Sequence, residues 1–170
     1  MNIQHYHSPI GGLRLKMRRR RLLKVELRDI LPEREVAGIA CQHLLTRHLE
    51  TYFGGRPMPS VWEQLELGSL NEFTRAVLFQ LNRIEFNHTV SYGELAERAG
   101  YPGAARAAGN ALNTNPFPIF LPCHRVIRAD GTPGGFGWGE DIKIWLLSHE
   151  QSSAGNNRVR MPEHKKGQTT

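Results

Sequence analysis

The sequence predicts an α/β (α+β) chain, with a small N-terminal antiparallel sheet and one helix followed by a mainly helical unit carrying a helix-turn-helix. Three observations point there. Two short runs near the start alternate apolar and polar residues, the pattern of half-buried strands. Later runs repeat their apolar residues at helical spacing. Two short helical runs near the middle of the chain are joined by a tight glycine-containing turn. A length of 170 residues suits one large domain or two small ones. We divide it into a sheet-and-helix domain, residues 1–67, a helical domain, residues 68–151, and a disordered polar tail, residues 152–170.

Composition narrows the function classes. With 39% apolar and 22% charged residues the chain reads as a soluble globular protein. No apolar run has the length of a membrane span, and the start has no charged-then-apolar signal pattern. Only two cysteines occur, Cys41 and Cys123, too few for a disulfide framework or a Cys-rich zinc site. A reducing interior is the expected home, cytoplasmic or, in a eukaryote, nuclear. The net charge of +6 permits a polyanionic partner. Residues 1–67 hold 11 Lys/Arg against 7 Asp/Glu, and residues 68–151 hold 7 against 8.

In chain order, Leu13 to Met17 and Leu23 to Leu27 alternate as strands, and Arg18 to Arg21 between them reads as a solvated loop rather than a nucleic-acid patch. Val36, Ala40, Leu44, Leu45, Leu49 and Tyr52 recur at helical spacing until Gly54-Gly55, with Cys41 as small filler at the edge of the stripe. Residues 54–70, with Pro57 and Pro59, form the passage to the second unit. A helix follows from about Glu72 to Arg83, presenting Phe73, Ala76, Val77 and Leu81. Ser91 and Glu94 form an S-x-x-E capping box opening a helix that Gly100 ends. Pro102-Gly103 turns the chain into a helix from Ala104 to Asn113, which Asn115-Pro116 breaks. Five alanines and Gly109 leave that helix almost without bulk, and Arg106 is its single long charge. Close packing against a neighbouring helix or close approach to a nucleic-acid backbone would each suit it.

The chemistry concentrates at Pro122-Cys123-His124-Arg125-Val126. A free thiol with a pKa of about 8.5 becomes a strong nucleophile when an imidazole or a helix N-terminus raises its thiolate fraction. The spacing alone leaves a buried structural cysteine open, because adjacent side chains of an extended segment point to opposite faces.

Pro-Cys-His-Arg-Val, preceded by Arg106-Ala107-Ala108-Gly109 and by Asn115-Pro116, resembles the signature of the O6-alkylguanine-DNA alkyltransferase family. The resemblance spans residues 70–151. It extends more weakly to the Ser8-Pro9-Ile10-Gly11 turn, the two strands and Tyr52-Phe53-Gly54-Gly55. It implies a winged-helix-like helical domain and a single-use DNA repair reaction, in which the alkyl group on O6 of guanine, or on O4 of thymine, passes to Cys123. It implies His124 as the base that takes the thiol proton through a water and Glu150 as the carboxylate orienting it. Asn115 would bridge the turn after the recognition helix, and Tyr92 would point its hydroxyl at the guanine ring. Double-stranded DNA would be met in the minor groove by that helix, with Ala105, Gly109, Asn113, Tyr92 and Arg125 at the DNA. Small side chains suit a groove about 6 Å wide. Arg106 would fill the gap left by the flipped base. Val126, Phe136, Gly137 and Trp138 would line the substrate pocket. The resemblance also implies a monomer without cofactor.

The chain departs from the family pattern at three places. Trp138 stands where many relatives have Gly or Ser, which suggests a narrow pocket that takes methyl better than benzyl adducts. Glu85 and Asn87 replace Pro and Gly before the helix-turn-helix, and asparagine tolerates the left-handed backbone that glycine would have supplied. His5 and His7 lack the cysteines with which some members bind zinc, so no metal is expected. The competing readings fit less well. Lesion-binding relatives carry Trp at the position of Cys123, a transcription regulator would need base-reading side chains where the alanines lie, and a Cys-His-Glu hydrolase would turn over without DNA.

Overall fold

The computed structural model describes residues 1–28 and 44–153. Three antiparallel strands open the chain: β1 (Asn2–Ser8), β2 (Gly11–Arg18) and β3 (Arg21–Arg28), in that order across the sheet. Alternation along β2 sends Leu13, Leu15 and Met17 inward and leaves Arg14, Lys16 and Arg18 on the outer face. Sequence pattern does not reveal β1. Its positions opposite Met17, Leu15 and Leu13 are Asn2, Gln4 and Tyr6, so its strand character comes from pairing rather than from apolar alternation.

Arg19 and Arg20 are the exposed two-residue tip of the β2–β3 hairpin, with Arg18 and Arg21 paired on either side. Both tip residues, Arg19 (φ 48°) and Arg20 (φ 69°), lie in the left-handed region. Positive φ at both positions matches the twist of the flanking strands, and Asn-Gly is the usual occupant. A residue with a Cβ costs roughly 1–2 kcal/mol there.

Helix α1 (Leu44–Phe53) buries Leu45, Thr46, Leu49 and Tyr52, whereas Leu44, expected on the apolar stripe, is 46% exposed. Val36, Ala40 and Cys41 lie outside the described residues. The passage after α1 includes a 3-10 turn at Trp62–Gln64 and runs beside β3, where Glu66 N–H donates to Leu22 O at 2.9 Å. Helix α2 (Glu72–Leu81) starts on Asn71, whose side chain accepts from Thr74 N–H at 2.8 Å. It buries Thr74 and Leu78 with Val77 and Leu81, while Phe73 packs edge-on to Tyr101 at its rim.

The helix-turn-helix is α3 (Tyr92–Arg98) and α4 (Ala105–Asn113). Both bonds of the capping box form: Glu94 N–H donates to Ser91 Oγ at 3.1 Å and Ser91 N–H to Glu94 Oε2 at 2.6 Å. Ala108, Ala111 and Leu112 hold α4 to the core and leave Arg106 exposed. β4 (Val90–Ser91) pairs in parallel with β5 (Val126–Ile127). Helix α5 (Glu140–Ser153) closes the described chain, two residues beyond the expected boundary at 151. It packs on α1, where His149 stacks on Trp145 and donates from Nε2 to Tyr52 O at 2.9 Å. Buried apolar side chains from both halves form one continuous cluster. No helix among the described residues is long and apolar enough to cross a membrane.

Candidate active site

The site is built on a tight turn between α4 and a 3-10 turn, Cys123–Arg125. Asn115, buried just beyond α4, spans the turn from inside. Its Oδ1 accepts from Phe117 N–H at 3.0 Å, and its Nδ2 donates to Leu121 O at 3.1 Å and to Cys123 Sγ at 3.3 Å. Asparagine is required by this double role, since neither aspartate nor leucine offers both a donor and an acceptor at that length. Leu121 N–H donates to Phe117 O at 2.8 Å, and Ile119 inside the turn has φ +72°. A β-branched residue in that region is strained by roughly 1–3 kcal/mol, and the bonds of Asn115 hold it there. Across the turn, Val25 N–H of β3 donates to Pro116 O at 2.8 Å, which fastens the sheet edge to the site.

Cys123 is 6% exposed and is a free thiol. Burial pushes its pKa up to about 11, against the pull of the Asn115 amide and the Lys143 charge. The spacing leaves a buried cysteine open, and burial is what the structure shows: the resting sulfur carries its proton at neutral pH. A base must therefore remove that proton during the reaction.

His124 is fully buried, and desolvation lowers its pKa, so the imidazole is neutral and able to accept. Its Nε2 lies 2.7 Å from Glu150 Oε1, which assigns the proton to Nε2 and a lone pair to Nδ1. Nδ1 is buried with no hydrogen-bond partner among the described residues. Glu150 sits near the C-terminal end of α5, where the helix dipole disfavours a carboxylate. Five donor contacts from four residues offset this. Tyr52 Oη donates to Oε1 at 3.0 Å, His124 Nε2 at 2.7 Å, Arg125 Nε to both oxygens at 3.1 and 3.0 Å, and Asn87 N–H to Oε2 at 2.7 Å. Burial alone would raise this carboxyl, but these donors and the Arg125 charge hold it well below the usual carboxylate range.

Two of these partners differ from expectation. The family resemblance puts Arg125 at the DNA, but the structure buries it. Its Nη1 donates to Ile84 O at 2.6 Å, its guanidinium lies over Phe86, and its Nε holds Glu150. Periodicity gives Tyr52 only a place on an apolar stripe, yet its hydroxyl also lies 3.2 Å from His124 Nε2. Nothing local in the sequence signals this, because the partners are 72 and 98 residues away. Asn87 has φ +62°, as the departure from glycine allows, and the turn it makes delivers its N–H to Glu150.

Cys123 lines a cavity of about 170 Å³ with Asn113, Asn115, Phe136, Gly137, Trp138 and Lys24 of β3. The loop residues expected there are present, and Lys24 joins them without any signal in the sequence. Trp138 meets Phe136 edge-on at 6.0 Å and forms one wall of that cavity. Val126, also expected in the pocket, is fully buried and outside that lining; its carbonyl accepts from Lys143 Nζ at 2.6 Å. Lys143 is buried, and desolvation lowers its pKa to about 8. Its ammonium faces the Tyr92 ring at 5.7 Å. Tyr92 is half-buried, and burial raises its pKa. Gly109 of α4 lies against its ring, and a Cβ on Gly134 (φ +73°) would come within 3.0 Å of its hydroxyl. Ala105 is half-buried, and Asn113 is exposed at the helix end.

The family model described as the DNA-binding domain of 6-O-methylguanine DNA methyltransferase matches residues 72–152. A methylated-DNA–protein-cysteine methyltransferase of Mus musculus is 46% identical over 114 residues, 62% of this chain and 53% of the mouse protein. The chain thus spans about half the length of the mammalian relatives it matches. The enzyme of the same name from Methanosarcina acetivorans is 35% identical over 152 residues, 86% of this chain and 96% of that protein. Among solved structures, Mycobacterium tuberculosis OGT in complex with DNA superposes with a TM-score of 0.75 at 32% identity, covering 90% of this chain and 94% of that one. The O6-methylguanine methyltransferase structure from the same organism gives 0.76 at 34% identity, covering 92% and 96%. Since a relative is matched over almost its whole length and the fold agrees across both halves, the chain belongs to the methylated-DNA–protein-cysteine methyltransferase family.

Proposed function

We propose that this protein repairs DNA by moving the alkyl group from O6 of guanine onto Cys123, once per chain. The observation that carries this reading is a buried, protonated thiol at the wall of a cavity, with a neutral imidazole and a fully bonded carboxylate behind it. The unpartnered lone pair of His124 Nδ1 receives the thiol proton through a bridging water, and Glu150 stabilises the imidazolium that forms. The sulfur attacks the alkyl carbon in line, an S–C bond forms as the C–O6 bond breaks, and the electron pair leaves on guanine. The Tyr92 hydroxyl faces that developing charge. The product is a thioether, which a neutral imidazole and water do not cleave, so the chain is consumed.

A base inside a duplex cannot present O6 to a recessed sulfur, so the target leaves the stack. Helix α4 enters the minor groove with its small face, Ala105 and Gly109, and Arg106 fills the vacated position. Asn113 joins the groove-facing end of α4 to the cavity. The protein acts as a monomer, without cofactor or metal, in whichever compartment, cytoplasm or nucleus, holds the DNA. The test is to mix the chain with a duplex carrying one O6-methylguanine and weigh the peptide containing Cys123. The expected result is one methyl gained per chain and one lesion lost, while Cys123→Ser binds the duplex and repairs nothing. Continued turnover, or lesion loss with an unmodified peptide, would overturn the reading.

A further inference from the structure

We propose that the outer face of the N-terminal sheet and its β2–β3 hairpin tip form a second phosphate-binding surface, which holds the DNA backbone beside the flipped base. This rests on the DNA-repair reading above and extends it to a surface outside the helix-turn-helix.

The first observation is where the charge lies. Phosphate neutralisation dominates protein–DNA affinity. Yet residues 68–151, which carry the helix-turn-helix, hold 7 Lys/Arg against 8 Asp/Glu. Residues 1–28 hold 8 Lys/Arg against one acid, Glu26. Four of these cations gather around that acid, and Arg19 and Arg20 stand at the hairpin tip. Arg14, Lys16, Lys24 and Arg28 all reach the Glu26 carboxylate, at 3.8, 2.8, 3.4 and 3.1 Å. Lys16 first, then Arg28 and Lys24, pull its pKa to about 2. One carboxylate among four cations leaves most of that charge uncompensated.

Two further features carry a local cost. Lys16 and Lys24 are directly opposite across β2 and β3, and like charges so placed repel. Arg19 and Arg20 occupy the two left-handed positions of the hairpin tip, where Asn-Gly would sit without strain. Strained backbone and stacked like charge that serve no packing need point to an anionic partner. Continuity with the site identifies that partner. Lys24 and Val25 of β3 line the same cavity as Cys123 and the α4 residues Leu112 and Asn113, so the basic sheet and the recognition helix border one opening. A duplex docked on α4 carries one negative charge per about 1.7 Å of axis past that opening.

The experiment uses the full chain with Cys123→Ser and a duplex carrying one O6-methylguanine, with Kd measured across a salt series. Two variants read opposite signs. Arg19→Asn/Arg20→Gly relieves the tip strain, so it should raise the melting temperature. It should also weaken binding at least about fivefold and lower the salt slope by about one for each phosphate no longer neutralised. A purely structural hairpin would give the first effect without the others. Glu26→Gln removes the one competing anion and should tighten binding, whereas a surface that only holds the sheet together would loosen. Unchanged affinity and salt slope in both variants would overturn the proposal. Methyl transfer from free O6-methylguanine base to the chain with Cys123 intact tests the repair reading separately, because that substrate has no phosphate.

Discussion

At the residue scale, the chemistry turns on where protons rest. The thiol is raised to about 11 by burial and His124 is lowered by burial, so the resting pair is neutral–neutral rather than an ion pair. Burial favours that state for both groups, and the ionised pair forms only as the reaction proceeds. Under the proposed reaction, the rate of alkyl transfer is therefore expected to be flat through neutral pH and to fall on the acid side, below the ordinary imidazole value of 6.5, as His124 takes up a proton. Tyr52 adjusts this balance. Its hydroxyl donates to the same Glu150 oxygen that accepts from His124. Removing it leaves Glu150 with one donor fewer and a stronger hold on the imidazolium, so Tyr52→Phe should move the acid limb to higher pH. The lost bond to a charged group should cost about 1.5–3 kcal/mol of stability. Single-turnover rates between pH 5 and 8 check it. A limb that stays in place while stability drops would make Tyr52 a packing residue only.

At the element scale, the elements legible in the sequence are those that present their chemistry locally. β2, β3, the capping box of α3 and the Asn115-Pro116 stop all declare themselves by alternation, by a four-residue box or by a single breaker. β1 does not, because its positions facing the core side are largely polar and its partner strand supplies the apolar residues. The site shows the same division. Cys123, His124, Asn115 and the 136–138 loop follow from a short signature. Tyr52, Asn87, Lys143 and Lys24 enter through contacts between distant segments, and the inward turn of Arg125 depends on a carboxylate 25 residues later. Trp138 shows how a loop sets the reach of a residue. Its indole stands edge-on to Phe136 as one wall of the cavity beside Cys123. That cavity is about 170 Å³, and one of about 150 Å³ holds a benzene ring alone. A purine carrying a benzyl group is larger, so the expected outcome is that a methyl adduct alkylates Cys123 faster than a benzyl adduct, measured by peptide mass against time. Equal rates would show that the indole does not limit the pocket.

At the scale of the whole molecule, the site also joins the two halves. Glu150 of α5 gathers donors from α1, from the turn at Asn87 and from the 3-10 turn at Cys123, so its charge state bears on the stability of the entire fold. The folded-state pKa of Glu150 is depressed. Its contribution is therefore fully present above its unfolded value of 4.5 and is lost as pH falls through the folded one. His124 is also depressed, here because the folded protein keeps it buried and neutral. Unfolded chains bind a proton below 6.5 that the folded chain resists, so stability begins to fall there, ahead of the carboxylate. On the alkaline side the shifts oppose each other. Lys143, lowered from 10.5 to about 8, makes stability rise with pH over that window, while Cys123, raised from 9.0 to about 11, makes it fall. Urea midpoints should thus decline in two steps below neutrality and change little between pH 9 and 10.5. Glu150→Gln removes the anion but leaves Arg125 buried, and breaking such a pair from one side costs about 3–5 kcal/mol. That variant should unfold at markedly lower urea at pH 7, and its lower acid step should vanish. A midpoint that stays high, or an acid profile unchanged from the parent, would mean that the carboxylate does not tie the halves together.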